Sequence, residues 1–257
     1  MARSTDREWE KFGAEDPYYG VASLPEFRRE NLDEEALAAF FAGGERHVDT
    51  VLQTIRDHLD PGFHPRRVLD FGCGVGRLVI PFSGWASHVT GVDVSESMLA
   101  EARSNCDARG IDNVALARSD DDLSEVEGSY DLVHSYIVLQ HIPVKRGLQL
   151  IERLLDCLED GGVGALHVTY GRSRKRQVIA LLKALPLVQN VYNVAQGRAF
   201  GAPQMQMNAY SLSDLFARLY QRRIRRIYTT LTNHSGELGA MLYFQVGPKA
   251  EGGEADG

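Results

Sequence analysis

The segment from Arg67 to Gly76, R-V-L-D-F-G-C-G-V-G, constrains the fold of this chain more than any other. A short apolar run, Val68-Leu69, leads to an acid, Asp70, and then to glycines at alternate positions, Gly72, Gly74 and Gly76. A helical pattern follows. Such a string reads as a buried parallel strand entering a tight loop, where missing Cβ atoms let a ligand lie directly against backbone.

About one strand-helix-strand unit later comes H-V-T-G-V-D-V, a second apolar run, with an acid at Asp93. The tip of the second strand is where a doubly wound fold holds ribose hydroxyls. The alternation then continues. Strands are expected at 66–70, 88–93, 113–117, Tyr130 to Ser135 and Gly164 to Tyr170. Helices are expected up to about Ser83, over 96–109 with Ser95 as N-cap, and from Val144 to about Glu159, ending at Gly161-Gly162. Helix 211–220 and strands 223–230 and 240–246 close the unit. Repeated β-α steps with short loops imply a mostly parallel sheet covered by helices on both faces.

The spacing also excludes close alternatives. A dinucleotide fingerprint needs G-x-G-x-x-G, but its third position falls on Arg77. A P-loop needs G-K-[ST], and no lysine follows these glycines. What remains is D-x-G-x-G-x-G with an acid seventeen residues beyond the last glycine. This pattern resembles the class I S-adenosylmethionine-dependent methyltransferases, closely over 66–170 and more loosely over 211–246. The resemblance implies an α/β fold: a doubly wound, seven-stranded, mostly parallel sheet of Rossmann-like methyltransferase type. An N-terminal helical cap and an inserted helical cap after the fifth strand complete the expectation. S-adenosyl-L-methionine (SAM) is the implied cofactor. In that family the glycine loop, here Asp70, Gly72, Cys73, Gly74 and Gly76, passes under the methionine part, and the ribose acid falls on Asp93. Val94 and Met98 stand where relatives pack the adenine. The adenine-amino acid of many relatives falls on Ser119, so Asp120, or Asp121, is the expected substitute. Ser135 and Tyr136 stand at the sheet mouth, toward the methionine end.

Five parts are expected. Residues 1–62 form an N-terminal helical segment whose aromatics Trp9, Tyr18 and Tyr19 fold over the site as a lid, with a plain helical cap as the alternative. Within it, one helical pattern starts near Leu32, breaks at Gly43-Gly44, and resumes from about Glu45 to Leu59. Residues 63–171 form the cofactor-binding core, 172–210 a substrate cap, 211–248 the rest of the sheet, and 249–257 a disordered acidic, glycine-rich tail.

Methyl transfer from a sulfonium is an in-line displacement whose leaving group needs no acid, but a hydroxyl nucleophile must lose its proton. Histidine suits that task near neutral pH. His141, in L-Q-H-I-P, is the first candidate base, and His234, in T-N-H-S-G, the second. His134 and His167 lie within strands and are expected to be packed. No histidine has metal-ligand spacing with another histidine or a cysteine, so no metal is expected.

Composition restricts the rest. The net charge of −7 over 257 residues, with no N-P-P-Y motif, argues against nucleic acid as partner. The three cysteines are scattered and lack a C-x-x-C pair, which suits reduced thiols in a cytoplasmic protein. No secretory signal and no membrane span are expected. An arginine-rich, lysine-poor balance suggests a GC-rich bacterial source. The expected partner is a small-molecule acceptor, with a hydroxylated natural product or sugar preferred and a homodimer left open. The alternatives are an N-methyltransferase, which needs no strong base, a transferase using decarboxylated SAM, and a non-catalytic SAM-binding module.

Overall fold

The computed structural model describes residues 4–173 and 205–247. The expected cap therefore lies largely outside the described residues, as does the acidic tail.

The sheet comprises β1 (Arg67–Phe71), β2 (His88–Asp93), β3 (Val114–Arg118), β4 (Tyr130–Ser135), β5 (Leu158–Arg172), β6 (Arg226–His234) and β7 (Glu237–Gln245). Its order is β3-β2-β1-β4-β5-β7-β6. β1 to β5 pair in parallel, whereas β7 is antiparallel to both neighbours. This is the seven-stranded, mostly parallel Rossmann-like methyltransferase architecture.

Side-chain alternation gives the sheet two apolar faces. Leu69, Val133, Leu166 and Val168 face α6 (Val144–Asp156) and α7 (Leu212–Gln221), which contribute Leu150, Leu154, Leu215 and Leu219. Val68, Leu132, Val163 and Ala165 face α3 (Glu34–His58) and α4 (Val79–Ser83), which contribute Val48, Leu52, Ile55 and Phe82. The inner strands β1, β4 and β5 are thus buried on both sides, as parallel sheets require, whereas the edge strands β3 and β6 are partly exposed. α5 (Glu96–Asp107) starts at Ser95, whose hydroxyl accepts from the Met98 N–H at 3.1 Å.

Several expected boundaries move: the last two strands shift to Arg226–His234 and Glu237–Gln245, and two other changes have a specific packing cause. α3 runs unbroken through Gly43-Gly44, because those glycines serve packing and not a turn. A Cβ on Gly44 would lie 2.2 Å from the Arg77 carbonyl oxygen, and one on Gly43 would lie 2.6 Å from Arg77 Nη2. Across this notch Arg77 Nε donates to the Phe40 carbonyl, 3.1 Å away. α6 stops at Asp156, and Gly161-Gly162 lie inside the extended run of β5, where Gly161 adopts φ +80°. The register there is irregular against Tyr130 and Leu132, so the glycines accommodate a bulge.

The N-terminal helices α1 (Ser4–Glu15) and α2 (Pro17–Val21) lie against α5. Glu10 accepts from the Ser95 and Ser97 hydroxyls at 2.9 and 2.5 Å.

Candidate functional site

At the carboxyl ends of the parallel strands a cavity of about 980 Å³ opens. That is the upper end of the size range for small-molecule sites, and open α/β sheets bind ligands at this edge.

One half is built by the glycine loop and β2. Gly72 N–H and Cys73 N–H both donate to the Val92 carbonyl, at 2.8 and 3.0 Å. Asp93 Oδ2 accepts from Gly74 N–H at 3.0 Å and Oδ1 from Ser95 N–H at 2.9 Å. The carboxylate therefore fixes the loop while lining the cavity. Burial outweighs those two donors and pushes its pKa up to about 6. Gly72 and Gly74 adopt φ +80° and +53°, and a Cβ on either would strike Val138 or Val21, at 2.3 and 2.5 Å. This cradle fits SAM: bare backbone faces the cavity, and a carboxylate stands at the tip of β2. Val94, Met98 and Ser119 line the same half, as expected positions for the adenine end.

Other expected contacts fall elsewhere. Asp70 is buried behind β1, on the α3 side, and does not line the cavity, because its position in the strand alternation turns it away. Cys73 packs inward beside Gly91, and its thiol is pushed well up by burial. Gly76 faces Ala102 of α5. Ser135 is buried and donates to the Phe71 carbonyl at 3.0 Å. Asp120 caps its own loop, accepting from the Ser124 N–H at 2.9 Å and from the Ser124 hydroxyl, and does not line this cavity. Asp121 instead pairs with Arg146.

The lid aromatics divide similarly. Trp9 and Tyr19 line the cavity. Tyr18 does not; its hydroxyl is held by Glu101 at 2.6 Å and Asn105 at 3.1 Å, which anchors α2 on α5. Burial and the Glu101 carboxylate push its pKa up to about 12.

Both candidate bases, His141 and His234, line the cavity. His141 meets Trp9 edge-on at 5.0 Å, but its ring nitrogens are already engaged. Nδ1 lies 2.7 Å from the Gln206 carbonyl and Nε2 lies 3.2 Å from the Gln140 amide nitrogen. Gln140 is fixed in turn by the Thr169 hydroxyl at 2.7 Å. Burial pushes the His141 pKa down to about 4, so the ring is neutral at pH 7. His234 Nε2 is buried and unpartnered among the described residues.

Sequence reasoning missed several contributors to the cavity wall. His47 reaches it from α3, Arg146 from α6, and Ile137 and Val138 from the loop after β4. Ile137 adopts φ +60°, a strained conformation for a β-branched residue. His47 belongs to no motif; its one local signal is its place on an amphipathic helix, one residue before the core position Val48. Among the described residues, no group of three or more His, Cys, Asp or Glu side chains has a metal-binding arrangement. No described helix is long and apolar enough to cross a membrane.

Fold and cavity together define a Rossmann-like methyltransferase framework. Residues 68–162 match a methyltransferase domain family. A ubiquinone biosynthesis O-methyltransferase from Cronobacter sakazakii is 28% identical over 170 residues, covering 60% of this chain and 68% of the relative. A magnesium-protoporphyrin O-methyltransferase from Synechocystis is 34% identical over 116 residues, covering 44% and 48%. The chain thus spans about half to two thirds of the length of these curated relatives. The Synechocystis magnesium protoporphyrin IX methyltransferase with bound S-adenosylhomocysteine (SAH) superposes with a TM-score of 0.61 at 19% identity, covering 95% of each chain. The N-methyltransferase NodS from Bradyrhizobium japonicum, in complex with SAH, gives 0.58 at 13% identity, covering 94% and 98%. Residues 68–162 thus carry a methyltransferase domain, on a fold shared with solved methyltransferases that hold SAH.

Proposed function

We propose that this protein transfers a methyl group from SAM to a hydroxyl oxygen of a small-molecule acceptor, a natural product or a sugar. The observation that carries the reading is Asp93. Its carboxylate is pinned by two loop N–H groups, lines the cavity, and shares that cavity with Tyr136, His47 and His234. SAM supplies an electrophilic methyl group on a sulfonium. Asp93 would hold the ribose hydroxyls, the Gly72 and Gly74 backbone the methionine part, and Val94, Met98 and Ser119 the adenine. The far wall would take the acceptor, with Trp9 and Tyr19 excluding water above it. The O-methyltransferases among the relatives support an oxygen acceptor. The free cysteines, with Cys73 and Cys106 buried, support a cytoplasmic site of action.

Isothermal calorimetry with SAM and with SAH tests this. We expect binding of both in the micromolar range, weakened more than tenfold in Asp93→Ala. Absence of binding to either removes the reading. Binding without transfer of labelled methyl to any hydroxylated compound, but with transfer to amines, favours N-methylation.

A further inference from the structure

The α3-facing side of the sheet carries polar groups that the cofactor half of the site leaves unused. Asp70 on β1 and His134 on β4 are register partners, and both are almost wholly buried. His134 Nδ1 lies 2.8 Å from Asp70 Oδ1. On the other edge of the ring, His134 Nε2 lies 3.0 Å from His47 Nε2. His47 comes from α3 and lines the cavity.

These contacts order the protons. A carboxylate only accepts, so His134 carries its proton on Nδ1. The contact between the two Nε2 atoms needs one proton, and with a neutral His134 it belongs to His47. The His47 Nδ1 is then a lone-pair acceptor, and it has no partner among the described residues.

We propose that Asp70, His134 and His47 form a proton relay whose outer end, His47 Nδ1, receives the proton of a hydroxyl acceptor in the methyl-transfer cavity. This rests on the methyltransferase reading above. His47 is the catalytic residue; His134 and Asp70 are positioning residues that fix its tautomer and receive the charge. As the acceptor oxygen forms its bond to the methyl carbon, the C–S bond breaks and its electron pair stays on sulfur as a neutral thioether. The O–H proton passes to His47 Nδ1, the His47 Nε2 proton passes to His134 Nε2, and the positive charge comes to rest on His134 beside the Asp70 carboxylate. His47 is left neutral.

The surroundings suit this transfer. The His47 ring lies on Tyr136, with centroids 4.0 Å apart. Tyr136 meets His167 at 5.3 Å and His234 at 5.9 Å. The groups facing His47 are Tyr136, the imidazoles of His134, His167 and His234, and the Arg77 guanidinium. Among the described residues no carboxylate touches His47 itself, so the negative charge that attracts the proton is reached only through His134. Asp70 Oδ2 is buried with no hydrogen-bond partner among them, which leaves that carboxylate less satisfied than a structural ion pair requires. His141, by contrast, has both nitrogens engaged, so it is a poorer receiver.

Nitrogen-15 imidazole NMR on the full chain decides the relay without an identified acceptor. We expect His47 as the Nε2–H tautomer with a bare Nδ1 between pH 6 and 8, and loss of that fixed tautomer in His134→Phe. A protonated Nδ1 in the wild type, or a His47 tautomer unchanged in His134→Phe, overturns it. In His47→Gln, SAM affinity by calorimetry should stay within about threefold; a tenfold loss would make His47 a cofactor contact and overturn it. Labelled methyl transfer to a panel of phenols and sugars should fall about 100-fold in kcat with the KM for SAM unchanged. Equal turnover overturns the base assignment. Failure of the wild type to bind SAM overturns the methyl-transfer reading itself, whereas a wrong tautomer overturns the relay alone.

Discussion

Arg146 on α6 grips Asp6 on α1 with two N–H···O contacts, at 2.6 and 3.1 Å, and both residues line the cavity. The pair ties the N-terminal helix to the rim of the sheet, and Asp121 holds the same guanidinium from the other side. The Arg146 side chain is 13% exposed, which raises its weight above that of a fully solvated pair. Arg146→Ala should therefore loosen α1 at a cost of about 1 kcal/mol. We expect faster hydrogen exchange across α1 and several-fold weaker SAM binding, with a reduced salt dependence. Unchanged exchange in α1 would show that the pair holds nothing.

Gly44 is a second point of leverage. Gly44→Ala forces a Cβ to within 2.2 Å of a backbone oxygen, that of Arg77, which has no flexible end to move. Overpacking of this kind costs about 1–3 kcal/mol. Gly62→Ala is the control, since its nearest neighbour would be Asp60 Oδ1 at 3.5 Å. Thermal denaturation should separate the two variants, with Gly44→Ala lowering Tm by several degrees and Gly62→Ala nearly neutral.

Asp93 carries a pH dependence of its own. Its folded pKa, about 6, lies above the ordinary 3.8, so protonation relieves the burial of its charge. Its contribution to stability is therefore most favourable below 3.8 and is lost as pH rises through 6. Ligand binding has the opposite need, because the ionised carboxylate is the stronger acceptor for ribose hydroxyls. SAM affinity should fall as pH drops from 7 to 5, and Asp93→Asn should flatten that profile. A flat wild-type profile by calorimetry would remove Asp93 from the ribose contact.

The buried histidines pull stability the other way. Burial lowers His47 to about 2, His167 to about 3 and His141 to about 4. For His47 the Arg77 guanidinium adds to this. Each of these rings stays neutral in the fold while the unfolded chain takes up a proton near 6.5. Stability is therefore fully present above 6.5 and declines as pH falls toward those folded values. Three such histidines outweigh one raised carboxylate. Denaturant unfolding at pH 7, 6 and 5 should show a net loss on acidification, roughly 1 kcal/mol per pH unit for each uncompensated proton. A gain in stability at pH 5 would refute this balance.

The parallel core was legible because its signals are local. Val68 to Gly76 and His88 to Asp93 announce strand, loop and acid within a few residues, and β2 and β4 fall where the apolar runs place them. What escaped depends on distance. Gly43-Gly44 looks like a helix break until Arg77 is placed against it, from 33 residues away in the case of Gly44. Asp70 looks like a loop ligand until the strand alternation turns it toward His134. Asp120 looks like an adenine contact, yet its own turn consumes its oxygens. His47 gave no motif at all, because its meaning lies wholly in which strand residue it meets.

The strand order has a consequence for how the chain is made. β7 follows β6 in sequence but sits between β5 and β6 in the sheet. During synthesis β6 emerges before β7, the strand it pairs with; its antiparallel ladder exists only once β7 has left the ribosome. The cofactor half, β1 to β4 with the glycine loop, can assemble before that moment, since domains generally gain structure from the N-terminal side as they are translated. The wall that carries His234 cannot. A nascent chain halted before Glu237 would therefore hold a nearly complete nucleoside cradle beside an unfinished acceptor wall.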